Sequence, residues 1–361
     1  MQKSTRTKYL LTALIAFSLS LATSVFGQGL TTAAINGSVT DRSGSPISGA
    51  TVTIIHVESG TKAVAVTRDN GQYNVSGLRV GGPYSVSAAK TNLETQDKQG
   101  IYIALDENAV VDFRLTSEVV TLETFKVSAS KDSTFDSGKM GTATSLTAQD
   151  ISSTATVRRN IQDLANLDSR LYLGSLDQGG QLSAAGQNFR FNSLLIDGVK
   201  ADDTFGLNSN GFSSLRSPIP PDAMEALKVD LSPYDTRYAG FTGALLNAVV
   251  KSGTNELHGT LYHERTDTDW RAANPVTKAS EYFKERIYGL TLGGPIIKDK
   301  LFFFIAYDDF HRTSAPPQAN FIPDPTQLAA LIASAQALGY NAGNLSANNS
   351  SVQRTFIGKI D

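Results

Sequence analysis

From residue 31 to 115 the chain alternates short apolar and polar runs with clusters of turn-forming residues. In INGSVTD, Ile35, Gly37 and Val39 fall on one face. ATVTIIHV alternates again, and RDNGQ sets Asn70 and Gly71 at the centre of a hairpin turn. YNVSGL, YSVSAAK, IYIAL and VVDFRL continue the pattern. Strands of this length and spacing predict a small β-sandwich with one modest core.

The period then changes. TSEVVTLETFKVSASKDS, residues 116–133, reads as a polar linker with an apolar centre. Residues 150–167 open on helix-capping Asp150 and Ser152 and read as helix toward their end, where Ile161, Leu164 and Leu167 form a short stripe. GSLDQGGQLSAAGQN has neither helical nor strand period. NSLLIDGV and GALLNAVVKSGTN read as strands, and MEALKVDLSP as a helix-to-strand element. These segments predict a mixed α+β body.

Beyond Asn255 the strand period returns over longer runs. LHGTLYHER is the first. In RIYGLTLGG, Tyr288, Leu290 and Leu292 share one face; GPIIKDK is a short turn. LFFFIAYDDF puts Leu301, Phe303, Ile305 and Tyr307 on one face and Phe302, Phe304, Ala306 and Asp308 on the other. RTFIGKID starts a fourth strand. Long and short connections alternate, as in outer-membrane barrels, and ~10-residue strands suit that membrane. Tyr288, Leu290, Leu292, Leu301, Phe303, Ile305 and Tyr307 are therefore expected to face lipid, and the other face to meet the α+β body. Four strands cannot close a barrel, so the 361 residues are expected to be the N-terminal part of a longer protein.

Composition narrows the setting. Lys3, Arg6 and Lys8 precede an apolar stretch from Tyr9 to Ala22, then small residues lead to SVFGQ. This order predicts a signal peptide cleaved after Gly27. The chain has no cysteine, which excludes disulfides, thiolate metal sites and a cysteine nucleophile. An exported chain without cysteine fits a bacterial envelope. Net charge is −2 and no basic face stands out, so nucleic acid is not an expected partner.

Two resemblances follow from longer motifs. GSVTDRSGSPISGATVTI and TRDNGQYNVSGLRVGGPYSVSA resemble the carboxypeptidase regulatory-like domain, a transthyretin-like sandwich. FRFNSLLIDGVKADDTFGL, the stretch from Pro218 to Gly259, and GGPIIKDKLFFFIAYDDFHRT resemble the Oar-like branch of the TonB-dependent outer-membrane receptors. That resemblance implies a mainly β, multi-domain chain: signal peptide (1–27), regulatory-like sandwich (28–116), linker (117–133), α+β plug domain (134–252) and the first three or four strands of an incomplete transmembrane barrel (253–361). It implies transport of an extracellular ligand across the outer membrane, with energy relayed by periplasmic TonB. TonB pairs by strand addition with a short segment before the plug. Glu123, Thr124, Phe125, Lys126, Val127 and Ser128 are the candidate, because alternation there permits backbone pairing.

No enzyme is expected, and no cofactor. His258 and His263 are five apart on one strand and point to opposite faces, so they cannot share an ion. His56 reads as a surface or edge residue, and Asp202 with Asp203 as a solvated turn. No Gly-x-Ser-x-Gly elbow or phosphate loop occurs. The competing reading is a surface or adhesion protein whose sandwich binds glycan or protein while the barrel only anchors it.

Overall fold

The computed structural model describes residues 31–116, 143–156, 158–174, 180–231, 238–273, 282–314, 325–341 and 349–361. The expected signal peptide and the segment from Glu123 to Ser128 lie outside them. No described helix is long and apolar enough to cross a membrane.

The first unit is a sandwich of β1 (Ala33–Thr40), β2 (Thr51–His56), β3 (Lys62–Val66), β4 (Gln72–Leu78), β5 (Gly81–Ala89), β6 (Gln96–Ile103), β7 (Asn108–Val110) and β8 (Phe113–Arg114). One sheet runs β4-β1-β7 with β8 also beside β1, the other β3-β2-β5-β6. Alternating positions supply the core: Ile35 and Val39 from one sheet meet Val52, Ile54 and Val86 from the other. Gly71 takes φ 74° in the turn before β4, which only glycine adopts at little cost. His56 departs from the expectation. It continues the inward row of Val52 and Ile54, is buried, and pairs through Nδ1 with the Ser59 hydroxyl at 2.8 Å.

The second unit is the α+β body. β9 (Ala143–Thr147) leads into α1 (Ala148–Ser153) and α2 (Ile161–Ala165). A hairpin of β10 (Leu171–Leu173) and β11 (Leu182–Ala184) follows, then β12 (Ser193–Ile196), β13 (Val199–Lys200), β14 (Met224–Asp230) and β15 (Leu245–Val250). The sheet order is β13-β12-β15-β14-β9, with β12 parallel to β15. Central β15, LLNAVV, is buried at all six positions, as befits a strand covered on both faces. The expected helix over 150–167 is two short helices. Thr147 caps the first in a reciprocal capping box with Asp150. Ile161 and Leu164 are buried in the second, whereas Leu167 lies beyond its end and is 53 % exposed. The glycine-rich tract contains β11, and MEALKVD is strand after a single 3₁₀ turn at Pro221–Ala223.

The third unit is an antiparallel ribbon, β16 (His258–Thr266), β17 (Phe283–Ile297), β18 (Leu301–Ser314) and β19 (Asn349–Ile360), paired in sequence order. Helix α3 (Pro325–Ala337) lies in the connection between the last two. The turn is shorter than expected. β17 runs on to Ile297 through a register shift between Pro295 and Ile297, leaving Lys298–Lys300 to reverse the chain. β19 starts at Asn349, ahead of the expected RTFIGKID. Phe302, Phe304, Ala306, Asp308 and Phe310 are buried beneath the ribbon, and Phe304 and Ala306 join the core of the α+β body.

Candidate functional site: the seam between body and ribbon

On the inward face of β18, Asp308 interrupts a row otherwise made of Phe302, Phe304, Ala306 and Phe310. Asp308 is 4 % exposed. Burying such a charge costs several kcal/mol (~) unless it is paired and hydrogen-bonded. Arg216, from the loop between β13 and β14, brings Nη1 to 3.1 Å of Asp308 Oδ1. Tyr262 of β16 donates its hydroxyl to Asp308 Oδ2 at 2.9 Å. Both oxygens are thus satisfied by groups from two different units.

Arg216 is held equally fully. It donates through Nη2 to the carbonyls of Arg158 at 2.9 Å and Arg159 at 3.3 Å, and its guanidinium lies 4.6 Å from the Phe310 ring centroid. Its amide donates to Gln353 Oε1 of β19 at 2.8 Å. Asn210 fixes this loop by donating to the carbonyls of Ser214 and Leu215, both at 3.0 Å. Next to this pair, Arg159 bridges Asp222 of the body and Glu264 of β16, the latter at 3.1 Å. It also covers the Tyr262 ring at 4.0 Å. Tyr262 can lie flat because its neighbour on β17 is Gly289, where any Cβ would collide with the ring.

A second contact lies nearer the short turn. Lys359 of β19 reaches Asp197 at 3.3 Å and donates to the Val250 carbonyl at 3.0 Å. Asp197 sits at φ 46° in the turn after β12 and also accepts the Val250 amide at 2.9 Å. The connection into the ribbon passes Gly253, where a Cβ would meet the carbonyls of Gly294 and Phe303. The body is therefore joined to its wall by directed ionic contacts set beside the apolar packing of Phe304, Ala306 and Ile357.

The seven residues expected to face lipid lie on the opposite side of the ribbon. Tyr288 and Leu290 are exposed; Leu292, Leu301, Phe303, Ile305 and Tyr307 are half-buried. His263 stacks on Tyr288 at 4.3 Å on that side. Asp202 is not a solvated turn: it accepts the Ser193 hydroxyl at 2.9 Å and the Leu194 amide. Asp203 caps the following turn through the amides of Phe205 and Asn208. Arg216, Arg159, Tyr262 and Glu264 were not singled out by the sequence. The available signal was Asp308, an acid in a strand row of phenylalanines.

Residues 34–116 match the carboxypeptidase regulatory-like domain family, and residues 249–360 match the outer membrane beta barrel domain family. The TonB-dependent transporter Oar of Myxococcus xanthus is 25 % identical over 311 residues, 81 % of this chain and 28 % of that protein. The chain is homologous to the TonB-dependent outer-membrane receptors. The probable TonB-dependent siderophore receptor PirA of Acinetobacter baumannii is 24 % identical over 58 % of this chain and 27 % of its own length. The chain thus spans little more than a quarter of these relatives. Chitinase ChiA of Flavobacterium johnsoniae is 35 % identical over 86 residues, 24 % of this chain but 5 % of that protein. A match of that extent shares a module and carries no chitinase chemistry. The receptor relatives are transporters and not enzymes, and they assign this chain to the bacterial outer membrane.

Proposed function

We propose that the chain supplies the sandwich, plug and first barrel strands of a receptor that binds an extracellular ligand and imports it with energy relayed by TonB. The α+β body (134–252) is the plug, residues 253–361 begin the barrel, 28–116 form the sandwich and 1–27 the signal peptide. The observation that carries this reading is the buried Arg216–Asp308–Tyr262 cluster between body and ribbon. The apolar contacts of Phe304 and Ala306 contribute attraction but little direction. Directed ionic contacts instead hold one geometry tightly and lose their grip once it is broken, because water can then solvate both charges. That is the property a plug needs if it is to stay closed at rest and be shifted by a pull.

In this reading Lys298–Lys300 is a periplasmic turn, and the linker carrying Glu123–Ser128 meets TonB by strand addition in the same compartment. The sandwich docks at the turn end of the ribbon, which weighs against display on the cell surface and so against the adhesion reading. Tyr288, Leu290, Leu292, Leu301, Phe303, Ile305 and Tyr307 face outer-membrane lipid. The relative PirA makes a siderophore the first ligand to test.

The experiment is uptake of labelled ligand by cells expressing the whole receptor with residues 123–128 deleted. Surface binding should persist while uptake stops. Uptake at the undeleted rate would sink the assignment of the TonB segment, and binding without energy-dependent uptake in the undeleted receptor would favour adhesion.

A further inference from the structure

The edges of the two sandwich sheets are not alike. β7 is three residues long. β4 is bulged at Gly77, which takes φ 77° and is passed over in the pairing with β1. β6 shifts register twice against β5, holds Gly100 at φ 74° and exposes Asp97 and Lys98. Shortness, bulges and charge each blunt an edge against further pairing. β3 shows none of these along its length beside β2, where Lys62 to Val66 pair without a register shift.

Alternation shows which backbone groups of β3 are open. The Thr67 amide donates to the Ala50 carbonyl at 2.9 Å, and the His56 amide to the Thr61 carbonyl at 3.0 Å. Thr61, Ala63, Ala65 and Thr67 therefore turn their backbone toward β2. Lys62, Val64 and Val66 present theirs to the outside, and among the described residues no strand lies there. The side chains agree with that opening. Val64 is 54 % and Val66 60 % exposed. Lys62 and Arg68 stand at the two ends of the same row, both exposed and neither in an ion pair among the described residues. The nearby acid Asp69 accepts the Ser48 hydroxyl instead, at 3.0 Å.

The surroundings narrow the occupant. The chain leaves the sandwich at Thr116, whose carbonyl accepts the Glu94 amide just ahead of β6, at the far edge of the same sheet. The turn before β3 touches the ribbon, where the Asn255 amide donates to the Glu58 carbonyl at 3.0 Å and Gly60 lies against Asp299. The open edge thus starts at the short-turn end of the ribbon, away from the point where this chain continues.

We propose that β3 is a docking edge for another periplasmic protein, which adds an extended segment to the sheet. Backbone pairing with Lys62, Val64 and Val66 supplies the attraction. Apolar side chains of the added segment lie opposite Val64 and Val66, and carboxylates lie opposite Lys62 and Arg68. A single lysine would only guard the edge. A cation at each end of an exposed valine row selects which strand adds. The proposal rests on the receptor reading for the compartment alone, and its test does not depend on uptake.

The probe is a synthetic peptide of alternating valine and threonine with glutamate at either end, added to the whole receptor in detergent. Hydrogen exchange of β3, read by mass spectrometry, should slow by about tenfold, while the same peptide with lysine at either end has little effect. Val64→Pro removes an outward amide and leaves the ladder to β2 intact, so it should abolish the protection without lowering the calorimetric transition of the sandwich. Lys62→Glu with Arg68→Glu should exchange the preference between the two peptides, which keeps the test decisive if the proline variant does not fold. No slowing at β3, or equal slowing by both peptides, would overturn the proposal. So would protection before any peptide is added, which a second copy or this chain's own linker on the edge would give.

Discussion

The α+β body has two neighbours, and it is joined to them by different chemistry. Toward the ribbon the joint buries charge beside the apolar contacts of Phe304 and Ala306: Arg216 and Asp308 are both buried, with aromatic rings around them. Toward the sandwich the centre is apolar, a small patch of Val80, Leu105, Ala226 and Val249. Its ion pair lies at the rim, where Lys228 meets Asp106 at 2.8 Å, while Arg79 of the sandwich reaches past the body to Asp361 of the ribbon at 3.2 Å. A joint with buried charge is close to all-or-none, since removing one partner strands the other. A joint with a small apolar centre and rim ions is a sum of modest terms, and it can be weakened by degrees.

The sharpest break in that comparison is Asp308→Ala. It leaves Arg216 buried without its acid and Tyr262 without its acceptor, and should cost about 3–5 kcal/mol. Hydrogen exchange of β14 and β15 in the whole receptor should rise accordingly. The paired change Arg216→Met with Asp308→Leu should recover part of the loss, because no charge is stranded, although the Tyr262 hydroxyl and the carbonyls of Arg158 and Arg159 lose their partners. If the single change leaves exchange unaltered, the seam is not held by its ions.

How much of this was readable beforehand depends on the range of the interaction. The sandwich turns were legible because RDNGQ carries its own geometry, and β15 because LLNAVV is apolar everywhere except at Asn247. β10 and β11 were not, since three residues cannot display a period. The seam was half legible. Asp308 breaks its row visibly, but its partner Arg216 lies 92 positions away and nothing local connects them. His56 was misjudged although Val52, Ile54 and His56 share one parity. A polar name outweighed a pattern that pointed inward.

His56 gives the next prediction, and it concerns the sandwich side alone. Burial, with the nearby Arg79 cation adding to it, pushes the imidazole down to about 4. The unfolded chain protonates near 6.5 and the folded sandwich only near 4, so stability is intact above 6.5 and is lost as pH falls through that window. The full loss is about 3 kcal/mol. Calorimetry from pH 7 to pH 4 should show the sandwich transition falling, and His56→Gln should flatten that dependence. An equal pH response in the variant would assign the effect elsewhere.

Arg79 should matter less. It donates to the Gly253 carbonyl at 3.0 Å, lies 5.2 Å from the Phe302 ring centroid and pairs with Asp361. All three contacts are partly solvated, so Arg79→Ala should cost about 1–2 kcal/mol. Limited proteolysis between the sandwich and the ribbon should accelerate, while exchange at the Arg216–Asp308 seam stays as it was. Coupled acceleration at both would mean that the two joints are one cooperative unit.

The smallest effect tests whether the rim ions of the sandwich joint count at all. Asp106 sits at φ 62° beside the apolar patch and pairs with Lys228 of β14, which also lies 3.7 Å from Asp230 on its own strand. Removing Asp106 therefore does not strand the lysine, because a second acid is already within reach. Asp106→Asn keeps the side-chain shape and its tolerance of the left-handed backbone, and should cost less than about 1 kcal/mol. Raising the salt concentration should erase even that difference, whereas salt should leave the Asp308→Ala defect in place, since the buried pair is shielded from it. If salt shifts both equally, the seam is wetter than its buried side chains imply, and the two joints differ in degree and not in kind.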